Sequence, residues 1–188
     1  MYEAKNFSHL LGTSGFSDDL LNNHFKLYQG YVTNTNAAAA ALQTNKLDKY
    51  AFGEVKRRFG WEFSGMRLHE YYFGNMKKDP TSMDISPELA KTIESSYGSI
   101  DAWLQDLKAT AGTRGIGWVV TSYDTVGKRV FNAWINEHDL GHLAGTTPLL
   151  VIDVFEHAFI LDYGLDRAGY LEAIFKALDW EEVNKRFR

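Results

Sequence analysis

Cysteine is absent from this chain, which excludes disulfides, thiolate metal sites and cysteine nucleophiles. No apolar stretch is long enough to span a bilayer. Met1 to Gly15 lacks a charged-then-apolar leader, so a cytoplasmic location is expected. There is no basic excess either: 20 Lys and Arg stand against 24 Asp and Glu, a formal charge of −4. That balance argues against broad nucleic-acid binding. The short basic runs Lys56-Arg57-Arg58 and Lys185-Arg186-Phe187-Arg188 read as a solvated helix face and a solvated tail. Repeats are missing, and the one monotonous tract, Ala37 to Ala41, is simply a good helix former. What remains is a chain of 188 residues, 45% hydrophobic and 14% aromatic, enough to bury a core.

Ser17 followed by Asp18 and Asp19 predicts a helix start, with a capping hydroxyl and two carboxylates at the positive end of the dipole. That helix is expected to run through Ala37 to Leu42. A second covers roughly Tyr50 to Tyr72, and its Gly53, Gly60 and Gly65 cost helix stability and hint at close packing. A polar link near Thr44 to Lys46 makes the two an antiparallel hairpin. The break from Gly74 to Met83, with Asp79-Pro80 inside it, divides a helical hairpin domain, 1–80, from a C-terminal domain, 81–188. Ser86-Pro87-Glu88 opens a helix that ends near Gly98, and Ser99 opens another that ends near Gly112. Gly117 to Tyr123 and Arg129 to Ile135 suit a β-hairpin. Leu149 to Val154, after Pro148, is continuously apolar and suits a strand covered on both faces. Ala168 to Leu178 and Glu181 to Phe187 close the chain as helix. The class is α+β: an N-terminal α-hairpin, then a three-stranded antiparallel sheet flanked by helices.

The segment Leu149 to Leu161 is apolar except for Asp153, Glu156 and His157. A carboxylate among such neighbours is costly to desolvate unless a cation meets it, and the segment holds no Lys or Arg. Asp153 and His157 are four apart and can face one point at the end of a strand. A metal ion there, or a buried Asp capping the next helix with His157 in the core, would both suit the pattern. Of the six histidines, His24 shares a helix face with Tyr28 and Tyr31, and His69 lies in the second helix beside Tyr71 and Tyr72. Two antiparallel helices presenting one His each, with the later Asp and His, make a three-His, one-carboxylate set. Such a set suits iron, manganese or zinc.

Asp153-Val154-Phe155-Glu156-His157-Ala158-Phe159 resembles the Asp-x-[Trp/Phe]-Glu-His-Ala-[Tyr/Phe] signature of the iron/manganese superoxide dismutases. His24 through Tyr31-Val32-Thr33-Asn34-Thr35-Asn36 is similar to that family's first-helix motif, and Leu68-His69-Glu70-Tyr71-Tyr72-Phe73 to its second. Gly115-Ile116-Gly117-Trp118 resembles the strand entry, and Gly169-Tyr170-Leu171 with Leu178-Asp179-Trp180 the closing helices. The resemblance implies disproportionation of superoxide by one-electron cycling of one iron or manganese ion per subunit, held between the two domains by His24, His69, Asp153 and His157. It implies Tyr31 as the substrate-channel tyrosine, Trp118 and Phe155 as pocket walls, and Glu156 reaching across a homodimer, or within a tetramer, to steady the partner's ligand. No nucleic-acid or membrane partner is expected. Three neutral imidazoles and one carboxylate contribute one negative charge, so a divalent ion with water or a trivalent ion with hydroxide totals plus one, a positive target for an anion.

The chain departs from the family pattern in places. His24 to Tyr31 is seven residues, one fewer than usual. Tyr28 stands where the family has a second helical His, and Ile160 where it has a cross-interface Tyr, so the polar network at the interface should differ. Of the two positions that supply an outer-shell Gln, one is Gly65, which has no side chain, and the other is His138, which is expected to contact the solvent beside the ion and tune its potential. His142 is given no role, and His9 is expected to be structural or exposed. Two other functions fit the same residues: a non-catalytic scaffold of the same fold, and a metal-dependent hydrolase.

Overall fold

The computed structural model describes residues 1–44, 46–80 and 82–187. Two long helices lead, α1 (Asp18–Gln43) and α2 (Lys49–Gly74). Their starts follow from local chemistry: the Ser17 hydroxyl accepts the Leu20 N–H at 3.0 Å, and the Asp48 carboxylate accepts the Ala51 N–H at 2.9 Å. Ser17 is also tied to the far end of the chain, donating its own N–H and hydroxyl to Asp162, each at 2.6 Å. The helices pack against each other as the expected antiparallel pair. Asn45 of the expected link and Thr81 of the expected break lie outside the described residues, as does Arg188 of the basic tail.

Two shorter helices follow, α3 (Pro87–Tyr97) and α4 (Ile100–Ala111). Ser86 and Ser99 cap them, and α3 stops at Gly98, whose φ of 88° is the left-handed conformation that glycine accepts without strain. Then come β1 (Gly117–Asp124), β2 (Arg129–Asn136) and β3 (Thr146–Asp153), an antiparallel sheet in the order β2-β1-β3. The short α5 (Ile160–Tyr163), which the sequence pattern did not reveal, precedes α6 (Arg167–Lys176) and α7 (Trp180–Arg186).

The third strand begins earlier than expected, at Thr146, and contains Pro148. The reason is its place in the sheet. β3 is an edge strand, and the register shifts at Thr121/Ser122, beside Pro148, and an edge and an irregularity are the settings in which a sheet accepts proline. Beyond it Leu149, Leu150, Val151 and Ile152 are all fully buried, each contributing roughly 1.5–3 kcal/mol of apolar burial. α2 covers one part of this strand and α7 another. The register sets Trp118 of β1 directly opposite Asp153, the last residue of β3.

Two expectations are corrected here. Gly53 and Gly60 face open space; of the three glycines named from the sequence, Gly65 alone meets a close neighbour, the Tyr31 ring. In the basic tail, the Arg186 side chain is only 10% exposed. It donates to the carbonyls of Leu149 and Tyr71 and to Glu182, fastening α7 over β3 and α2 because a buried guanidinium needs acceptors on every side.

Candidate metal centre

Four side chains from distant parts of the chain meet at one point: His24 on α1, His69 on α2, Asp153 at the end of β3, and His157 in the single helical turn Glu156–Ala158. Their donor atoms all lie within 4.8 Å of one another. Asp153 Oδ2 is the hub. It stands 3.2 Å from His24 Nε2, 3.1 Å from His157 Nε2 and 3.7 Å from His69 Nε2. The strand and the turn that follow it deliver Asp153 and His157 together, and the Phe155 N–H donates to Asp153 Oδ1 at 2.9 Å to lock the corner. Tyr170 on α6 donates its hydroxyl to the Asp153 carbonyl at 2.6 Å, fixing the same residue from behind.

The protonation of His69 can be deduced. Its Nδ1 lies 2.6 Å from the Gly65 carbonyl, which only accepts, so Nδ1 carries the proton and Nε2 presents a bare lone pair. That Nε2 is buried and has no hydrogen-bond partner among the described residues. Burial holds His69 well below its ordinary pKa, and the neighbouring His24 lowers it further; burial also lowers His24, against the pull of Asp153. Burial alone would raise the Asp153 carboxyl, yet His157 and His24 hold it far below the usual carboxylate range. The centre is therefore a fully buried carboxylate facing three imidazoles, two of which, His24 and His69, burial biases toward the neutral form, with an orphaned nitrogen aimed at the same point. A cation repays the desolvation of Asp153 and takes up the His69 lone pair. Nitrogen and oxygen donors in this ratio fit iron, manganese or zinc.

A second layer of side chains surrounds the first. Tyr31 stacks on His69 at 5.0 Å between ring centres, and Trp118 meets His69 edge-on at 4.8 Å. Phe155 stacks on both His157, at 5.0 Å, and His138, at 4.9 Å. His138 is fully buried, and both its nitrogens are engaged. The Trp118 indole N–H donates to Nδ1 at 2.9 Å, and Nε2 lies 2.8 Å from the Tyr31 hydroxyl. An indole N–H can only donate, so the neutral ring carries its proton on Nε2 and gives it to Tyr31 Oη. The Tyr31 proton is then free to point elsewhere. Burial lowers the His138 pKa to about 4 and raises that of the Tyr31 hydroxyl, so both groups stay neutral near pH 7.

Comparison with known proteins agrees with this geometry. The family model for the C-terminal domain of iron/manganese superoxide dismutases matches residues 85–186. The manganese superoxide dismutase 2 of Haloferax volcanii is 36% identical over 169 residues, spanning 87% of this chain and 82% of that protein. The iron superoxide dismutase of Aquifex aeolicus is 34% identical over 186 residues, 92% of this chain and 84% of that one. The chain belongs to the iron/manganese superoxide dismutase family.

Within that family frame the remaining expected residues can be located. Tyr28 is buried against its own chain: its hydroxyl donates to Glu70 at 3.1 Å and accepts the Lys5 N–H at 3.0 Å, and burial pushes its pKa up to about 12. Glu156 is exposed beside His157, whose side chain is 28% exposed. His9 is exposed. His142, given no role from sequence, places Nε2 2.9 Å from the His138 carbonyl. Sequence reasoning missed Trp61, which meets His138 edge-on at 4.3 Å, and Tyr170 behind Asp153. Trp61 lies eight residues before His69 on the same helix, a spacing that could have suggested a shared side. Nothing local points from Tyr170 to Asp153.

Proposed function

We propose that this chain is a superoxide dismutase, converting two superoxide anions and two protons to dioxygen and hydrogen peroxide, with one iron or manganese ion per subunit. The observation that carries the reading is the meeting of three imidazole Nε2 atoms at Asp153 Oδ2, one of them buried without a partner. His24, His69, Asp153 and His157 would hold the ion. Once bound, it supplies one-electron oxidation and reduction. Relatives carry either metal in their names, manganese in Haloferax and iron in Aquifex.

The protein's own residues supply the rest. One charged ligand among four leaves the loaded centre positive, which draws an anionic substrate toward an acidic chain. Trp118 and Phe155 wall the pocket and keep bulk water from the ligands. Tyr31 holds a proton beside the site. His138, held by Trp118 at Nδ1 and meeting the Tyr31 hydroxyl at Nε2, keeps the outer-shell role expected from sequence and shares it with Tyr31.

We read the chain as a hairpin domain, 1–80, and an α+β domain, 81–188, with the centre between them. Each contributes two ligands, and the family match begins at residue 85. A homodimer, or a tetramer built from it, is part of the proposal. Partly exposed His157, exposed Glu156 and the exposed apolar Ile160 and Leu161 lie together in sequence at one edge of the centre, a surface suited to a second copy whose Glu156 would reach across. No helix is long and apolar enough to cross a membrane among the described residues; a cytoplasmic location stays with this reading.

The test is metal content and dismutation per bound ion after expression in iron-rich and in manganese-rich media. Asp153→Ala and His157→Ala should remove metal and activity together. Full activity in a metal-free variant would refute the reading.

A further inference from the structure

Glu137 adopts a backbone conformation that disfavours any residue with a Cβ: its φ is 49°, in the left-handed region. The turn that imposes it is held from several directions. The Asn136 N–H donates to the Leu140 carbonyl at 2.8 Å, and the Leu140 N–H returns to Asn136 at 3.3 Å. The facing Gly117 of β1 comes so near that a Cβ there would overlap the Ile135 carbonyl and crowd the Glu137 nitrogen. The consequence is a divergence of two adjacent side chains: His138 points inward, fully buried, while Glu137 remains at the surface.

At the surface the Glu137 carboxylate accepts the indole N–H of Trp61 at 2.9 Å. Trp61 in turn stands edge-on to His138 at 4.3 Å and packs on Tyr31 at 5.5 Å. The Arg58 guanidinium lies over the Trp61 ring, 3.7 Å from its centre, while its Nε donates to the buried Glu62 at 2.8 Å. Arg58, Trp61 and Glu62 are on α2, and Glu137 is in the β2–β3 loop. Together they clasp the two parts of the chain over the His138–Tyr31 hydrogen bond.

We infer that Glu137, acting through Trp61, is a positioning residue for His138: the clasp, backed by Arg58 over the indole, seals the His138–Tyr31 pair from bulk water and holds the Tyr31 hydroxyl in place. Its consequence for turnover rests on the dismutase reading; the clasp itself does not. Loss of a hydrogen bond such as Trp61 to Glu137 changes an opening equilibrium by roughly tenfold.

The metal-loaded protein is treated with diethyl pyrocarbonate, and modification of His138 is read by peptide mass spectrometry against exposed His9 in the same molecule. His138 should be protected in the parent protein. Glu137→Ala, and Trp61→Phe, which keeps an aromatic ring but lacks the N–H, should label His138 about tenfold faster. Glu137→Gln retains an acceptor for the indole and should restore protection. Dismutation should fall in the first two variants and recover in the third. Equal protection in all four proteins overturns the clasp. Faster labelling with undiminished dismutation overturns the positioning role. If the parent protein does not dismute superoxide, the dismutase reading fails, and the labelling pattern alone decides whether the clasp exists.

Discussion

Gly65→Ala probes how tightly the centre is built. Gly65 is buried within α2, and a Cβ there would lie 2.7, 2.9 and 3.2 Å from Cδ1, Cε1 and Cγ of Tyr31. Ordinary carbon contacts begin near ~3.5 Å, so the ring must move by about 0.8 Å. It has little freedom to do so, because it is stacked on His69 and hydrogen-bonded to His138 at 2.8 Å. Overpacking of this kind costs about 1–3 kcal/mol, while alanine in place of glycine in a helix returns about 1 kcal/mol. The net is a loss of about 0–2 kcal/mol. Gly60→Ala isolates the two effects, since it lies in the same helix with nothing within 4 Å of the new methyl. It should gain the propensity of roughly 1 kcal/mol unopposed and melt about 2–4 °C higher. The difference between the variants is then the overpacking alone, about 2–12 °C in a chain of this size. Circular-dichroism melts of the metal-loaded proteins, with dismutation rates alongside, provide the assay. Gly65→Ala should be the less stable and the less active. Equal melting temperatures for the two variants would refute the claim that the Tyr31 ring is fixed.

Other outcomes follow from the same contacts. Tyr31→Phe removes the acceptor of the buried His138 Nε2–H and should cost about 1–3 kcal/mol in a denaturant titration; an unchanged midpoint would mean that the bond does not stabilise the fold. Because burial lowers the His138 pKa to about 4, the unfolded chain binds more protons than the folded one between about pH 6.5 and that value. Stability contributed by neutral His138 is therefore lost as pH falls through this window. The melting temperature should drop from pH 7 to pH 5, and less steeply in His138→Gln; identical slopes would contradict the burial argument. Ser17→Ala removes both the α1 cap and the hydroxyl's donation to Asp162 while leaving the backbone N–H bond, and thermal melts should show a loss of about 1–2 kcal/mol.

The order and type of the principal elements and the pairing of Asp153 with His157 were legible in the sequence, because each rests on local chemistry; His24 and His69 were picked out by their places on two antiparallel helices, and His138 through the family resemblance alone. Capping serines, the change of hydrophobic period, and a carboxylate and imidazole inside an apolar run all act within a few residues. The tertiary structure alone decided matters that depend on residues far apart. It placed Pro148 inside a strand, because that strand is an edge with a shifted register. It turned Tyr28 toward Glu70 and Lys5 of its own chain, buried Arg186 of the basic tail among carbonyls, and gave Gly65 a close neighbour while leaving Gly53 and Gly60 open. It also fixed which nitrogen of His69 and of His138 carries the proton, since that is set by the partner each ring meets: the Gly65 carbonyl one turn away for His69, and Trp118 and Tyr31 from other elements for His138. Sequence periodicity specifies which face of an element is buried; the partner that face meets is a property of the packed chain.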